Sequence, residues 1–287
     1  MSPAAAVDKV GPVLVTGCST GIGRATALHL AGLGHTVFAT ARRPDTLTAL
    51  AQMGCRTLAL DVTDDASMHD VVATVVAEHG RVGALVNNAG YSQSGPVEEI
   101  TPASLRRQFE TNVFGAVRLC QLVLPGMRAA RAGRIVNLSS MGGRMTLPGG
   151  GAYHATKYAL EAFSDALRYE TKGFGVQVVL VEPGPVISEF GATANASTAD
   201  QRTDGPYADF KRGVDALISK TYAKPPKGSA RPEAIAEVIA TAISTRRPKT
   251  RYLVGPTAKR IVTAHSLLSD RLWDRLLTTQ YPHPPSA

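Results

Sequence analysis

Along the first two thirds of the chain, short apolar runs recur between amphipathic stretches. Residues 12–16, 36–40, 56–60, 84–86, 134–138 and 176–181 are nearly continuous in β-branched and other apolar side chains. That is the pattern of strands buried on both faces rather than of strands with one wet side. The segments between them, such as 23–33, 65–79 and 101–130, read as helices. The alternation predicts an α/β fold: a Rossmann-type, doubly wound parallel sheet in a single domain, with right-handed crossovers. In such sheets ligands bind outside the carboxyl ends of the strands.

The rhythm breaks after Val186. Residues 188–230 are rich in Ala, Ser, Thr, Asp, Gly, Pro and Lys, and so long a loop inside a compact domain is usually functional or disordered. It is expected to be a substrate lid. A helix is predicted over 232–244, with Pro232 in its first turn, and a short strand over 251–254. Ile261, Ala264, Leu268, Leu272 and Leu276 then recur at helical spacing, with a break at Ser269-Asp270 acting as a cap. This stripe is read as packing on the domain, with a membrane-surface helix as the alternative.

Composition narrows the classes. The chain has 287 residues, 44% hydrophobic and 19% charged, an ordinary globular balance. No apolar run approaches the roughly 20 residues needed to span a bilayer. The N-terminal stretch lacks the basic and apolar regions of a signal peptide, and a cytoplasmic setting is expected. Cys18, Cys55 and Cys120 share no metal-type spacing, so no metal site and no disulfide framework is expected. The net charge of +8 is unevenly placed: residues 1–200 hold 16 basic and 16 acidic side chains, residues 201–287 hold 15 and 7. Aromatic residues are not interleaved with the basic ones, so nucleic-acid binding is not expected. The basic end is read as a solvated face, with an anionic ligand or a lipid surface as alternatives.

Three stretches carry chemistry. The first predicted strand runs into TGCSTGIG, where Gly17, Gly21 and Gly23 lead from a buried strand into a helix. Glycines there allow a tight turn and let backbone amides meet a pyrophosphate at the helix N-terminus. The spacing matches the commoner dinucleotide fingerprint only in part. Cys18 in this loop is expected to be inert packing. The second strand ends in Arg42-Arg43, where a binder of plain NAD would carry an acid for the ribose hydroxyl. Two guanidiniums suit a 2′-phosphate, which predicts NADP(H). Finally, Tyr153 and Lys157 stand four apart on one helix face, where a cation lowers the pKa of a phenol.

Taken together, these motifs resemble the short-chain dehydrogenases/reductases over about residues 10–255. TGCSTGIG resembles the family's cofactor loop, which implies contacts from Gly17, Ser19, Thr20, Gly21 and Ile22. Asp61-Val62 resembles the pair at the adenine, and NNAG brings Asn88, Ala89 and Gly90 beside the cofactor. Asn112 in FETNVFG matches the helix asparagine, and Ser140 stands thirteen before Tyr153, the family's spacing between catalytic Ser and Tyr. PGPV matches the nicotinamide segment, implying Pro183, Gly184, Val186 and, a little beyond, Ser188, where the family often has Thr. ATARRP, EPGPV and the glycine loop look most like the 17β-hydroxysteroid- and retinol-dehydrogenase-like subgroup. The resemblance implies hydroxyl–carbonyl interconversion by hydride transfer. Tyr153 would be the acid–base, Lys157 its acidifier and a ribose ligand, Ser140 the holder of the substrate oxygen, and Asn112 the anchor of a water relay. It also implies a homodimer or homotetramer. The layout expected is a dinucleotide-binding and catalytic domain over 1–255 and a basic helical extension over 256–287. Met141, Met145, Tyr91, Phe190 and Tyr207 are expected to wall an apolar pocket for a steroid-, retinoid- or lipid-like substrate, with Arg144 at its mouth. His154 is expected to be structural.

Overall fold

The computed structural model describes residues 10–186, 204–223 and 229–281. Seven parallel strands form one sheet: β1 (Val13–Val15), β2 (Val37–Ala41), β3 (Arg56–Ala59), β4 (Ala84–Asn87), β5 (Gly133–Leu138), β6 (Val176–Pro183) and β7 (Arg251–Val254). Their spatial order is β3-β2-β1-β4-β5-β6-β7. The chain therefore winds outward in one direction from β1 and in the other from β4. Between those two strands the connections diverge and leave a crevice at the carboxyl ends.

Helices cover both faces. They are α1 (Gly21–Gly32), α2 (Thr48–Gln52), α3 (Asp65–His79), α4 (Pro102–Phe109), α5 (Gly115–Ala129), α6 (Gly151–Thr171), α7 (Ala208–Ala223), α8 (Pro232–Ser244), α9 (Pro256–Leu267) and α10 (Asp270–Thr278). Period-two alternation along the strands divides the core. Val13 and Val15 pack with Ala27 and Leu30 of α1 and with Ile235 and Ile239 of α8. Leu14, Phe38, Leu85 and Ile135 pack on the other face with Val71 and Val75 of α3 and Leu119 and Val123 of α5. Double-sided burial explains the unbroken apolar runs. The exceptions are the two edge strands: the four residues of β3 are exposed or half-buried, and those of β7 are half-buried.

Several differences from the sequence reading are informative. The helix expected over 101–130 is interrupted by a π-turn at Glu110–Phe114, and such turns re-aim side chains where function needs them. Asn112 lies in it. Within 188–230, residues 208–223 form α7 rather than loop. The break at Ser269 is present, but its hydroxyl makes no cap bond to α10. The extension after residue 255 packs on the domain, as expected, although Leu272 and Leu276 of the expected stripe are exposed. Ala258, Val262 and Trp273 join Met141 and Met145 in a third apolar cluster.

Candidate active site

The glycine loop opens α1 at the crevice. Gly17 adopts φ +71°, and a Cβ there would stand 2.9 Å from the Cα of Ala89. A Cβ on Gly23 would lie 2.2 Å from the carbonyl oxygen of Gly17. The loop is thus folded tightly against the NNAG segment. Thr20, the N-cap of α1, makes no side-chain cap and no acid occupies the first turn. The positive end of the helix and its free amides are left for an anion. Asn88 fixes the loop: its Nδ2 donates to the carbonyls of Thr16 (2.9 Å) and Gly17 (3.1 Å). The amides of Asn88 and Ala89 in turn donate to Thr16 Oγ1. Ser19 and Ile22 are half-buried in the loop, while Cys18 is buried with its thiol pushed up to about 12 by burial, an inert group.

Arg42 and Arg43 are exposed just beyond β2. No carboxylate lies between Ala41 and Arg43, so a phosphate would meet guanidinium rather than an acid. Asp61 spends one carboxylate oxygen on the amide (2.9 Å) and hydroxyl (2.7 Å) of Thr63. Val62 is buried, with its carbonyl against Gly115. Pro183 ends β6. Gly184 donates to the Val254 carbonyl (3.1 Å) and has no room for a Cβ beside Ala258. Val186 bridges to Ala230. Ser188 and Phe190 lie outside the described residues.

A second set of groups converges from β5 and α6. Ser140 follows β5 in extended conformation, half-buried, and its Oγ accepts from the amide of Gly142 at 3.0 Å. Tyr153 and Lys157 lie one turn apart on α6. The Lys157 Nζ is 5.6 Å from the centroid of the Tyr153 ring and donates to the carbonyl of Leu138 at 2.7 Å. Leu138 is two residues before Ser140, so one side chain ties the tyrosine's helix to the serine's strand. Lys157 is only 7% exposed. Burial lowers its pKa to about 8, with the charge of Glu161 acting in the opposite direction.

Asn112 is also buried. Its Nδ2 donates to the Tyr91 carbonyl (2.8 Å) and to Thr156 Oγ1 (3.1 Å), and its Oδ1 accepts from the Tyr91 amide (3.0 Å). Gly90 leaves just enough space, since a Cβ there would sit 3.0 Å from that Oδ1. The asparagine side chain therefore clamps the NNAG segment to α6. His154 is structural, as expected from its position: its Nδ1 accepts from the Leu147 amide at 3.0 Å, and burial drives its pKa down to about 4.

The apolar wall differs from the expectation. A cleft of about 500 Å³ lies beside the first turn of α6 and is lined by, among others, Val97, Leu147, Phe210, Trp273 and Leu277. Tyr207 belongs to it, but Met141, Met145 and Tyr91 do not. Both methionines turn inward under α9, Met145 with no exposed surface. Arg144 is paired with Glu182 at 3.4 Å rather than standing at the mouth.

Asn137, Ser164, Arg251, Glu161, Asp165 and Glu182 escaped the sequence reading, whereas Asn87 stands in NNAG. Asn87 Nδ2 donates to Asn137 Oδ1 (2.9 Å), and Asn137 Nδ2 to Ser164 Oγ (2.8 Å), a buried amide chain from β4 through β5 to α6. Arg251 joins Glu161, Asp165 and Glu182 at 3.0, 2.6 and 3.1 Å. The available signal was a polar residue in an apolar strand run, at Asn137 and Glu182.

Comparisons with known proteins agree with the fold. A family model described as short chain dehydrogenase matches residues 12–199. An uncharacterized oxidoreductase of Escherichia coli, YbbO, is 35% identical over 92% of this chain and 93% of its own length. The 3-ketodihydrosphingosine reductase of Bacteroides thetaiotaomicron is 35% identical over 94% and 97%. The NADPH-dependent 3-dehydrocapnine reductase of Ornithobacterium rhinotracheale is 33% identical over 92% and 94%. Among solved structures, a short-chain dehydrogenase from Streptomyces avermitilis superposes with a TM-score of 0.79 at 35% identity, covering 94% and 95% of the two chains. A serine dehydrogenase complexed with NADP⁺ gives 0.73 at 29%, covering 86% and 95%.

Proposed function

This chain belongs to the short-chain dehydrogenase/reductase family of oxidoreductases, and from that premise we propose that it is an NADP(H)-dependent reductase of hydrophobic ketones, with Tyr153 as its acid–base. The observation that carries the reading is the Lys157 bridge: a buried ammonium beside the Tyr153 ring, bonded to the strand end that presents Ser140. The bound dinucleotide supplies or accepts the hydride. Every other task falls to the chain.

Ser140 donates a hydrogen bond to the substrate oxygen, keeping its own proton, and fixes that oxygen's place. Tyr153 gives its proton to that oxygen as negative charge develops, and takes it back in the oxidising direction. Lys157 favours the phenolate by its charge, and in the family's manner it also holds the cofactor ribose. The side chain of Asn112 is committed to Tyr91 and Thr156, so a proton relay at residue 112 would run through its main-chain carbonyl. Gly17, Ser19, Thr20, Gly21 and Ile22 would hold the pyrophosphate, and Asp61, Val62, Asn88, Ala89 and Gly90 the adenosine side. Pro183, Gly184, Val186 and Ser188 would line the nicotinamide. Arg42 would bind the 2′-phosphate through charge-assisted bonds, about 1.5–3 kcal/mol each.

The substrate class follows from the cleft and from the relatives. Val97, Leu147, Phe210, Trp273 and Leu277 suit an alkyl chain or fused rings. Two relatives are named for reducing 3-oxo compounds, one of them a ketosphingoid. The subgroup resemblance, to 17β-hydroxysteroid and retinol dehydrogenases, points to the same class. A panel of ketones of increasing chain length, including 3-ketodihydrosphingosine, tests this by nicotinamide absorbance with NADPH and with NADH. Faster turnover of long than of short ketones, with NADPH preferred, is expected. No turnover of any ketone, or a preference for short polar ones, would refute it.

A further inference from the structure

We propose that Glu161 is a positioning residue for the reaction: its buried carboxylate keeps Lys157 in the charged state that acidifies Tyr153. The inference rests on the acid–base reading above and concerns what sustains it.

Tyr153, Lys157, Glu161 and Asp165 follow one another at intervals of four along α6, hence on one face of the helix. Lys157 and Glu161 are both buried, 7% and 6% exposed. An ammonium removed from water sheds its proton unless an anion or strong acceptors replace the lost hydration. The hydrogen bond of Lys157 goes to a neutral carbonyl, that of Leu138. The charge that acts on it in the favourable sense is Glu161.

Glu161 is built for that task. Its Oε2 accepts from Arg251 Nε at 3.0 Å, while its Oε1 is buried with no hydrogen-bond partner. A carboxylate oxygen stripped of donors projects its field with little screening in a low-dielectric interior. The Ser140 turn closes over it. A Cβ added at Gly143 would stand 3.0 Å from Glu161 Cγ, 3.2 Å from the Lys157 carbonyl oxygen and 2.8 Å from Ser139 Oγ. Glycine there lets the turn that begins at Ser140 pack directly on the stretch of α6 that carries Lys157 and Glu161, both of them buried.

The remaining charges do not take over the role. From β6, Glu182 is held by Arg251 of β7 and by Arg144 after β5. Asp165, one turn beyond Glu161, is answered by Arg168 at 2.7 Å and by Arg251. Arg106, Arg107 and Glu110, on α4 and the π-turn packed against α6, are solvent-exposed, as is Lys172 at the far end of the helix. His154 is neutral in its buried setting.

The test reads the Tyr153 phenol directly and needs no substrate. Phenolate absorbance is titrated in the NADP⁺ complex of the protein, and the same titration of Tyr153→Phe is subtracted to isolate residue 153. Glu161→Gln, and Glu161→Met as a second neutral replacement, are expected to raise the Tyr153 midpoint by about one pH unit or more, because Lys157 then loses its proton first. Glu161→Asp keeps the charge and is expected to keep the midpoint low. A midpoint that stays or falls in a folded Gln or Met variant overturns the proposal, even if that variant melts earlier. An ordinary midpoint near about 10 in the unaltered protein would instead overturn the acid–base reading itself, so the two failures are distinguishable.

Discussion

Lys157 holds its ammonium nitrogen 5.6 Å from the centre of the Tyr153 ring while anchored on the Leu138 carbonyl. The pairing brings together three features that are separate in sequence. A helix turn sets the spacing, the end of β5 supplies the anchor, and burial removes the water that would screen the charge. Lys157→Met keeps the length and apolar stem but removes the charge. It is expected to lower kcat for ketone reduction by on the order of 10²-fold or more and to weaken cofactor binding as well. Stopped-flow binding and steady-state rates separate the two effects.

Arg42 stands exposed at the end of β2 with no acid beside it. Replacing it with Asp puts a carboxylate where a 2′-phosphate would lie. Arg42→Asp is expected to reduce kcat/KM for NADPH by roughly 10–100-fold, the worth of one charge-assisted bond, and to leave NADH unaffected or improved. An unchanged NADPH/NADH ratio would reject the phosphate assignment.

Phe210, on α7, lines the cleft together with Trp273 and Leu277. Phe210→Ala removes apolar contact without touching the Tyr153 end. For a long-chain ketone kcat/KM is expected to fall by roughly 10-fold or more, mainly through KM, whereas a short ketone is expected to change little. Equal losses for both would place the long substrate elsewhere.

His154 accepts a hydrogen bond through Nδ1 and is neutral in the fold, with its pKa pushed down to about 4 by burial. The unfolded chain, with an ordinary histidine near about 6.5, binds the proton first as the pH falls. Stability is therefore full above about pH 6.5 and declines as acid is added, by about 2 kcal/mol at pH 5. Thermal melts at pH 7 and pH 5 are expected to differ more in the unaltered protein than in His154→Gln. Equal differences would mean that other groups govern the acid limb.

Much of this was legible in the chain. Strands buried on both faces leave apolar runs, as at 178–181 within Val176–Pro183, and glycines that admit no Cβ, such as Gly17 and Gly23, mark the loop. What the pattern could not reveal depends on contacts distant in sequence. The π-turn at Asn112 adds one residue to a helix without changing its periodicity enough to be seen. Arg251 meets Glu161 across 90 positions and Asp165 across 86, and nothing local to either end announces the pairing. Met145 was misplaced because an apolar side chain suits a pocket wall and a core equally. Only the docking of α9 and α10 decides between them.

The central claim is that the Tyr153 hydroxyl is the group that exchanges a proton with the substrate. The most direct measurement is Tyr153→Phe, with NADPH binding followed by calorimetry and ketone reduction by the loss of nicotinamide absorbance. The expected result is NADPH affinity within a few-fold of the unaltered protein and turnover reduced by on the order of 10³-fold or more. Turnover near the original rate, with the phenolic oxygen gone, would contradict the account.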